Sequence, residues 1–251
     1  MRILVTGASG FVGRHIAARL AREHEVTGTF RSVSVPIPGC RLERAELLDP
    51  ESLARLIARL APELVVHAAA AARPDACERD PGAARTANVA ATGAAAAAAE
   101  RLGARFFYIS SDLVFDGDSP PYREEDEPNP LSLYGETKRD GEAAARSHCR
   151  RALVLRLSLI YGWNPHGASY FCDTLRRAFS EGRSMELFSD EFRSALYAED
   201  AAEILARLAA LKAIGETPGG ALHLAGPERV SRLRFGELFC DAFGYDRALI
   251  R

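Results

Sequence analysis

The sequence predicts an α/β chain, a Rossmann-type doubly wound parallel sheet with a small C-terminal substrate lobe. Three observations carry that expectation. Short apolar runs alternate with longer segments of helical period. The first run opens onto a glycine-rich turn, Thr6-Gly7-Ala8-Ser9-Gly10-Phe11-Val12-Gly13. A Tyr134-x-x-x-Lys138 pair follows a strand that ends in two serines.

Arg2–Thr6 is apolar and runs into glycine, as a strand buried on both faces does. Phe11–Arg22 carries Val12, Ile16 and Leu20 at helical spacing, and Glu25–Phe30 reads as the second strand. Pro50–Leu60 is a helix with Leu53, Leu56, Ile57 and Leu60 on one face, N-capped by Asp49. Leu64–His67 is a strand, Gly82–Leu102 a long alanine-rich helix and Arg105–Ser110 a strand. The proline- and acid-rich stretch Phe115–Leu131 is a loop. Ser132–Ser147 is helical and Ala152–Leu157 a strand.

After Ile160 the rhythm breaks. Trp163–Gly167 reads as a loop, Tyr170–Ser180 and Ala198–Leu211 as helices, Ala221–Leu224 as a short strand and Ser231–Phe243 as a helix. The expected organisation is a dinucleotide-binding domain over residues 1–160, rejoined by about 197–225. Residues 161–196 and 226–251 form the small lobe, expected to be incomplete at its C-terminal end.

A chain of 251 residues with 47% hydrophobic and 26% charged residues has ordinary globular composition, which excludes a disordered or fibrous chain. A formal net charge of −2 argues against a nucleic-acid partner. The alanine run 94–99 stops at Glu100 and Arg101, so no segment approaches the ~18 apolar residues of a membrane helix. The chain opens directly as a strand, without a signal-peptide pattern. Cys40, Cys77, Cys149, Cys172 and Cys240 are scattered, with neither CxxC nor zinc spacing, as for reduced thiols in a cytoplasm. No metal is expected.

In the glycine turn, backbone approaches a pyrophosphate closely, and the following helix offers N–H groups and the positive end of its dipole. Gly7, Ser9, Gly10, Phe11, Val12 and Gly13 are the cofactor candidates there. No acid occurs between Val26 and Leu42, where an NAD-binding chain places one for the ribose 2′-hydroxyl. Arg31 and Ser32 suit a 2′-phosphate instead, so NADPH is the expected cofactor, with NADH as the alternative.

The i,i+4 spacing puts the Tyr134 phenol and the Lys138 ammonium on one helix face. A phenol titrates near ~10, and a neighbouring ammonium lowers that value. It then serves as an acid toward a carbonyl oxygen while hydride reaches the carbon. Ser110 and Ser111 end the preceding strand at the edge where doubly wound sheets bind ligands. Of the 32 basic residues only Lys138 and Lys212 are lysine, which singles out Lys138 further.

With these motifs in place the chain resembles the extended short-chain dehydrogenases/reductases, and among them most the dTDP-4-dehydrorhamnose reductase family. Relatives of that family include the non-catalytic regulatory subunit of methionine adenosyltransferase. The resemblance runs from Met1 to about Gly226. It rests on TGASGFVG, on Ala45–Pro50, on His67–Ala70 with Arg73–Glu78, on Asn88, on Ser110–Gly117 and on Pro130–Lys138. It implies NADPH-dependent reduction of the 4-keto group of a nucleotide-activated 6-deoxysugar, with Ser111, Tyr134 and Lys138 as the catalytic triad. It further implies Glu46 and Leu47 on the adenine side, Ala68, Ala69 and Ala70 along the dinucleotide, Asn88 in a structural role, and Asp112 and Arg193 toward substrate.

The substrate half departs from the family pattern. Ser158-Leu159-Ile160-Tyr161 lacks the family's tryptophan, with Trp163 close by, and Arg193–Tyr197 replaces a Gly-x-Pro-Thr segment. Asn164 and His166 lie in the loop a substrate would meet. The partner is expected to be a small molecule, a nucleotide sugar, and the reading allows a homodimer. Two other readings stand beside it. An NAD-dependent epimerase calls for an acid in place of Arg31, and a dehydratase calls for an acid pair after the serine, where Asp112 is followed by Leu113. A non-catalytic dinucleotide-binding subunit has no need of Ser111, Tyr134 and Lys138 together.

Overall fold

The computed structural model describes residues 1–163, 171–211 and 220–251. In chain order the first elements are β1 (Arg2–Thr6), α1 (Phe11–Leu20), β2 (Glu25–Phe30), β3 (Cys40–Arg44), α2 (Pro50–Leu60) and β4 (Leu64–His67). Then come α3 (Pro74–Arg79), α4 (Pro81–Arg85), a π-helical turn (Thr86–Ala90), α5 (Ala91–Arg101), β5 (Arg105–Ser111), α6 (Leu133–His148) and β6 (Ala152–Leu157). The rest are β7 (Ile160–Tyr161), α7 (Phe171–Ser180), β8 (Phe192–Arg193), β9 (Leu196–Tyr197), α8 (Ala198–Ala210), β10 (Gly220–Leu224), β11 (Val230–Ser231) and α9 (Arg232–Phe243).

Seven strands form one sheet in the order β10-β6-β5-β4-β1-β2-β3, and every neighbouring pair is parallel. The strand order reverses between β1 and β4, and ligands of doubly wound sheets bind at the carboxyl ends of such a pair. β4, β5 and β6 are buried along their whole length, which is why they are mostly apolar without an alternating pattern. α5 is mostly alanine, and these small side chains let it lie close against Leu4, Val65, Phe106 and Leu53 in a common core.

The chain divides into two compact units, Met1–Leu157 with Glu199–Leu224, and Ser158–Ala198 with Ala225–Arg251. The second unit has its own core, in which Leu175 and Phe179 of α7 meet Phe239 and Cys240 of α9. Trp163 belongs to this unit and lines an apolar cavity of about 410 Å³ with Tyr161, Tyr197 and Phe235. Among the described residues no helix is long and apolar enough to cross a membrane.

Several elements depart from the sequence expectation. β3, α3 and the two-residue strands β7, β8, β9 and β11 are additional elements; Cys40–Arg44 has no fully buried residue, so it carries no apolar run. The expected helix over Gly82–Leu102 contains a π-helical turn at Thr86–Ala90. Tyr170, placed in the expected α7 segment, lies outside the described residues.

Candidate active site

The glycine turn is held by two threonines. Thr6, the last residue of β1, accepts a hydrogen bond from the Ala69 amide at 3.2 Å and contacts His67 Nδ1 at 2.9 Å. Burial together with the Lys138 charge pushes the His67 pKa down to about 3, so the ring is neutral. Thr29 at the end of β2 accepts from the Gly7 amide at 3.0 Å. These bonds bring the turn, the β4 segment Ala68-Ala69-Ala70 and the end of β2 together.

Glycine is required where these segments meet. Gly7 has φ +70°, and a Cβ there would lie 2.7 Å from Ala69 Cα. A Cβ on Gly13 would lie 2.2 Å from the Gly7 carbonyl oxygen. Gly10 caps α1 without a side-chain hydrogen bond, and the first turn of α1 has no acid. Ser9 and Gly10 are exposed, Val12 is half-buried and Phe11 is buried. An exposed turn with backbone donors, a positive dipole end and no competing acid fits a pyrophosphate.

Arg31 and Ser32 follow β2 and are exposed, and the Arg31 carbonyl accepts from Arg44 Nε at 3.2 Å. Arg14 on α1 donates to the Pro36 carbonyl at 3.0 Å, anchoring the loop that follows. Glu46 and Leu47 are half-buried, and a Glu46 carboxylate oxygen accepts from the Leu48 amide at 3.2 Å. These residues fit a phosphorylated dinucleotide, with basic and hydroxyl groups at the end of β2 and no acid there.

The catalytic candidates sit at the carboxyl end of β5 and on α6. Ser132 N-caps α6 by accepting from the Gly135 amide at 3.1 Å, which starts the helix just before Tyr134. Gly135 allows close contact here, because a Cβ would lie 2.3 Å from the Leu113 carbonyl. Tyr134 is half-buried, and Lys138, one turn on, is only 2% exposed. Lys138 Nζ donates to the Ile109 carbonyl at 2.6 Å, and burial pushes its pKa down to about 7.

The two serines have different surroundings. Ser110 donates to Glu142 at 2.6 Å inside a buried network in which Arg156 Nη2 meets the other carboxylate oxygen at 2.8 Å. Ser111 accepts from the Leu113 amide at 3.2 Å and reaches Asp112 at 3.3 Å. Asn88 receives the Ala71 amide at 2.7 Å and donates to the Ala71 carbonyl at 3.1 Å and to Thr137 at 2.9 Å. It thus ties the segment after β4 to α6, with the π-helical turn supplying its backbone position.

Arg193 is in β8 of the second unit, with a side-chain exposure of 16%, and lies 3.8 Å from Glu191. Asn164 and His166 lie outside the described residues. The sequence motifs include Thr6 and His67 without giving them a role, and the roles of these two and of Thr29, Tyr108 and Glu142 emerge from the structure. Their signal is a polar or aromatic residue within a buried strand or helix face, and their partners are distant in sequence.

Known proteins resemble this chain in sequence and in fold. Methionine adenosyltransferase 2 subunit beta of Rattus norvegicus is 34% identical over 256 residues, covering 100% of this chain and 74% of the relative. A hypothetical dTDP-4-dehydrorhamnose reductase from Sulfolobus tokodaii superimposes with a TM-score of 0.85 at 29% identity, over 98% of this chain and 83% of that one. MoeE5, solved in complex with UDP-glucose and NAD, gives a TM-score of 0.84 at 25% identity, over 100% of this chain and 84% of its own. The family model described as RmlD substrate binding domain matches residues 1–251, and the chain belongs to that family.

Proposed function

We propose that this protein is an NADPH-dependent reductase of a nucleotide-activated 4-keto-6-deoxysugar. The observation that carries the reading is Lys138: a buried ammonium one helical turn from Tyr134, at the same strand end as Ser111. Burying an ammonium is costly, and a surface-exposed YxxxK would impose no such cost.

Gly7, Ser9, Gly10, Phe11, Val12 and Gly13 hold the pyrophosphate, Arg31 and Ser32 the 2′-phosphate, and Glu46, Leu47 and Ala68–Ala70 the adenine side and the path between. When bound, NADPH supplies hydride to the carbonyl carbon. Ser111 donates a hydrogen bond to the carbonyl oxygen, and Tyr134 gives that oxygen its phenolic proton. Lys138 stabilises the phenolate left behind and contacts the nicotinamide ribose. Asp112 meets the sugar.

The similarity to methionine adenosyltransferase 2 subunit beta favours a second reading, a dinucleotide-binding subunit of a larger enzyme. One experiment separates the two. The protein is mixed with NADPH and a panel of dTDP- and UDP-linked 4-keto-6-deoxysugars, and NADPH binding and oxidation are followed. Oxidation with at least one sugar is expected. Tight NADPH binding without oxidation across the panel overturns the reductase reading in favour of the subunit.

A further inference from the structure

We propose that Tyr108 is a positioning residue for Lys138, its buried ring face being the platform that holds the ammonium. The consequence for catalysis rests on the role given to Lys138 above; the contact itself does not. Lys138 Nζ lies 4.1 Å from the centroid of the Tyr108 ring while donating to the Ile109 carbonyl. Both side chains are buried, Tyr108 completely. An ammonium has three donors, and one carbonyl satisfies one of them. An aromatic face presents a negative quadrupole to the cation in a site shielded from water.

The surroundings are shaped to admit this ring. A Cβ on Gly141 of α6 would stand 2.2 Å from the Tyr108 hydroxyl oxygen and 2.6 Å from the Asn88 carbonyl oxygen. Glycine at 141 and the π-helical turn around Asn88 therefore make the space the ring fills. From β4, His67 stacks on the ring at 6.1 Å between centroids and 22° between planes.

It is the ring rather than the hydroxyl that acts. The Tyr108 hydroxyl lies beside Thr92 with no hydrogen bond of ordinary geometry, and the Thr92 hydroxyl donates instead to the Asn88 carbonyl at 2.7 Å. The titratable groups around the pair are Glu142, Tyr134 and Asp140 on α6 and His67 on β4. Glu142 favours the Lys138 cation; burial opposes it and outweighs Glu142. The ring adds attraction on the side of the cation.

The chain has two lysines, which makes the test direct. Lys212→Arg leaves Lys138 as the single lysine, and ¹³Cε-lysine labelling reads its titration by NMR. Tyr108→Phe is compared with mono-, di- and pentafluorinated phenylalanine at position 108, a nearly isosteric series that progressively drains the ring face of negative potential. With Tyr108→Phe the Lys138 titration stays where it is in the parent. Along the fluorinated series its midpoint falls stepwise, by about one pH unit at the end. NADPH affinity falls in the same order. An unchanged Lys138 midpoint across the series overturns the proposal, as does a Tyr108→Phe shift as large as that of the pentafluorinated ring. The titration needs neither substrate nor cofactor. A Lys138 that follows the ring in a protein that reduces no sugar refutes the reductase and leaves this contact standing; active protein with a fixed Lys138 midpoint does the reverse.

Discussion

The Ser110 hydroxyl donates to Glu142 at 2.6 Å in a buried bond, while the adjacent Ser111 hydroxyl engages only the start of the next turn, at Leu113 and Asp112. That difference separates two serines that look alike in the sequence. Ser110 anchors β5 to α6, and Ser111 keeps a hydroxyl at the carboxyl edge of the sheet. The strand that carries Ser111 is thereby fixed to the helix that carries Tyr134 and Lys138.

Tyr134→Phe tests the proton donor. The substitution keeps the ring and removes the acid, so turnover is expected to fall ~10²–10⁴-fold with NADPH affinity nearly unchanged. Ser111→Ala acts mainly on turnover, and Lys138→Met lowers both turnover and cofactor affinity. Steady-state rates paired with NADPH titration check the pattern, and a Tyr134→Phe protein with parental turnover rules out this role.

Arg31→Asp tests cofactor choice. Losing a charge-assisted hydrogen bond costs ~1.5–3 kcal/mol, so NADPH affinity is expected to drop about ten- to a hundred-fold while NADH is retained or gains. Fluorescence titration with the two dinucleotides reads this. Equal losses for both would place the 2′-phosphate elsewhere.

Lys138 links stability to pH. Its folded pKa, about 7, lies below the ordinary 10.5, so between these values the unfolded chain holds a proton that the folded chain does not. Folding stability from this group therefore rises from pH 7 to 10.5, and the full cost of the buried ammonium is present below pH 7. Lys138→Met removes that cost. Urea midpoints are expected to be higher for the variant near pH 6, with the gap closing as pH approaches 10.5. A gap that does not vary with pH contradicts this linkage.

Glu142 and Arg156 form a buried ion pair, each side chain 2% exposed, with Arg146 at 3.5 Å from the same carboxylate oxygen that Arg156 Nη2 meets. Arg156→Met leaves the carboxylate with Arg146 and Ser110, and is expected to cost ~3–5 kcal/mol. The double variant Glu142→Leu/Arg156→Met should recover most of that loss. Urea unfolding of the two single variants and the double variant measures the coupling, and simple additivity would show that the pair is not a unit.

Much of this fold is legible in the sequence because its signals are local. β1, β2, β4 and β6 are bounded as their apolar runs suggest, and Asp49 caps α2 by accepting from Ser52. Tyr134 and Lys138 are read together because a helix makes i and i+4 neighbours. The rest depends on distant partners. Cys40–Arg44 forms a strand because Val26–Phe30 of β2 offers it a parallel edge, not because its residues repeat in period two. The π-helical turn leaves no mark in an alanine-rich segment, since alanine tolerates either helix. Tyr108 reads as one more apolar position in Arg-Phe-Phe-Tyr-Ile; only the arrival of Lys138 from α6 turns it into a cation's neighbour.

The sheet's final strand also sets an order of events on the ribosome. β10 pairs with β6, yet Gly220 follows Leu157 by 63 residues. At ~5–20 residues per second the nascent sheet waits several seconds with the β6 edge uncovered. Ala-Leu-Val-Leu-Arg-Leu is then an apolar edge whose one charge is Arg156, and a charge on an uncovered edge disfavours pairing with another chain. Neutral substitutions at 156 are therefore expected to lower the yield of folded protein by more than their equilibrium stability accounts for.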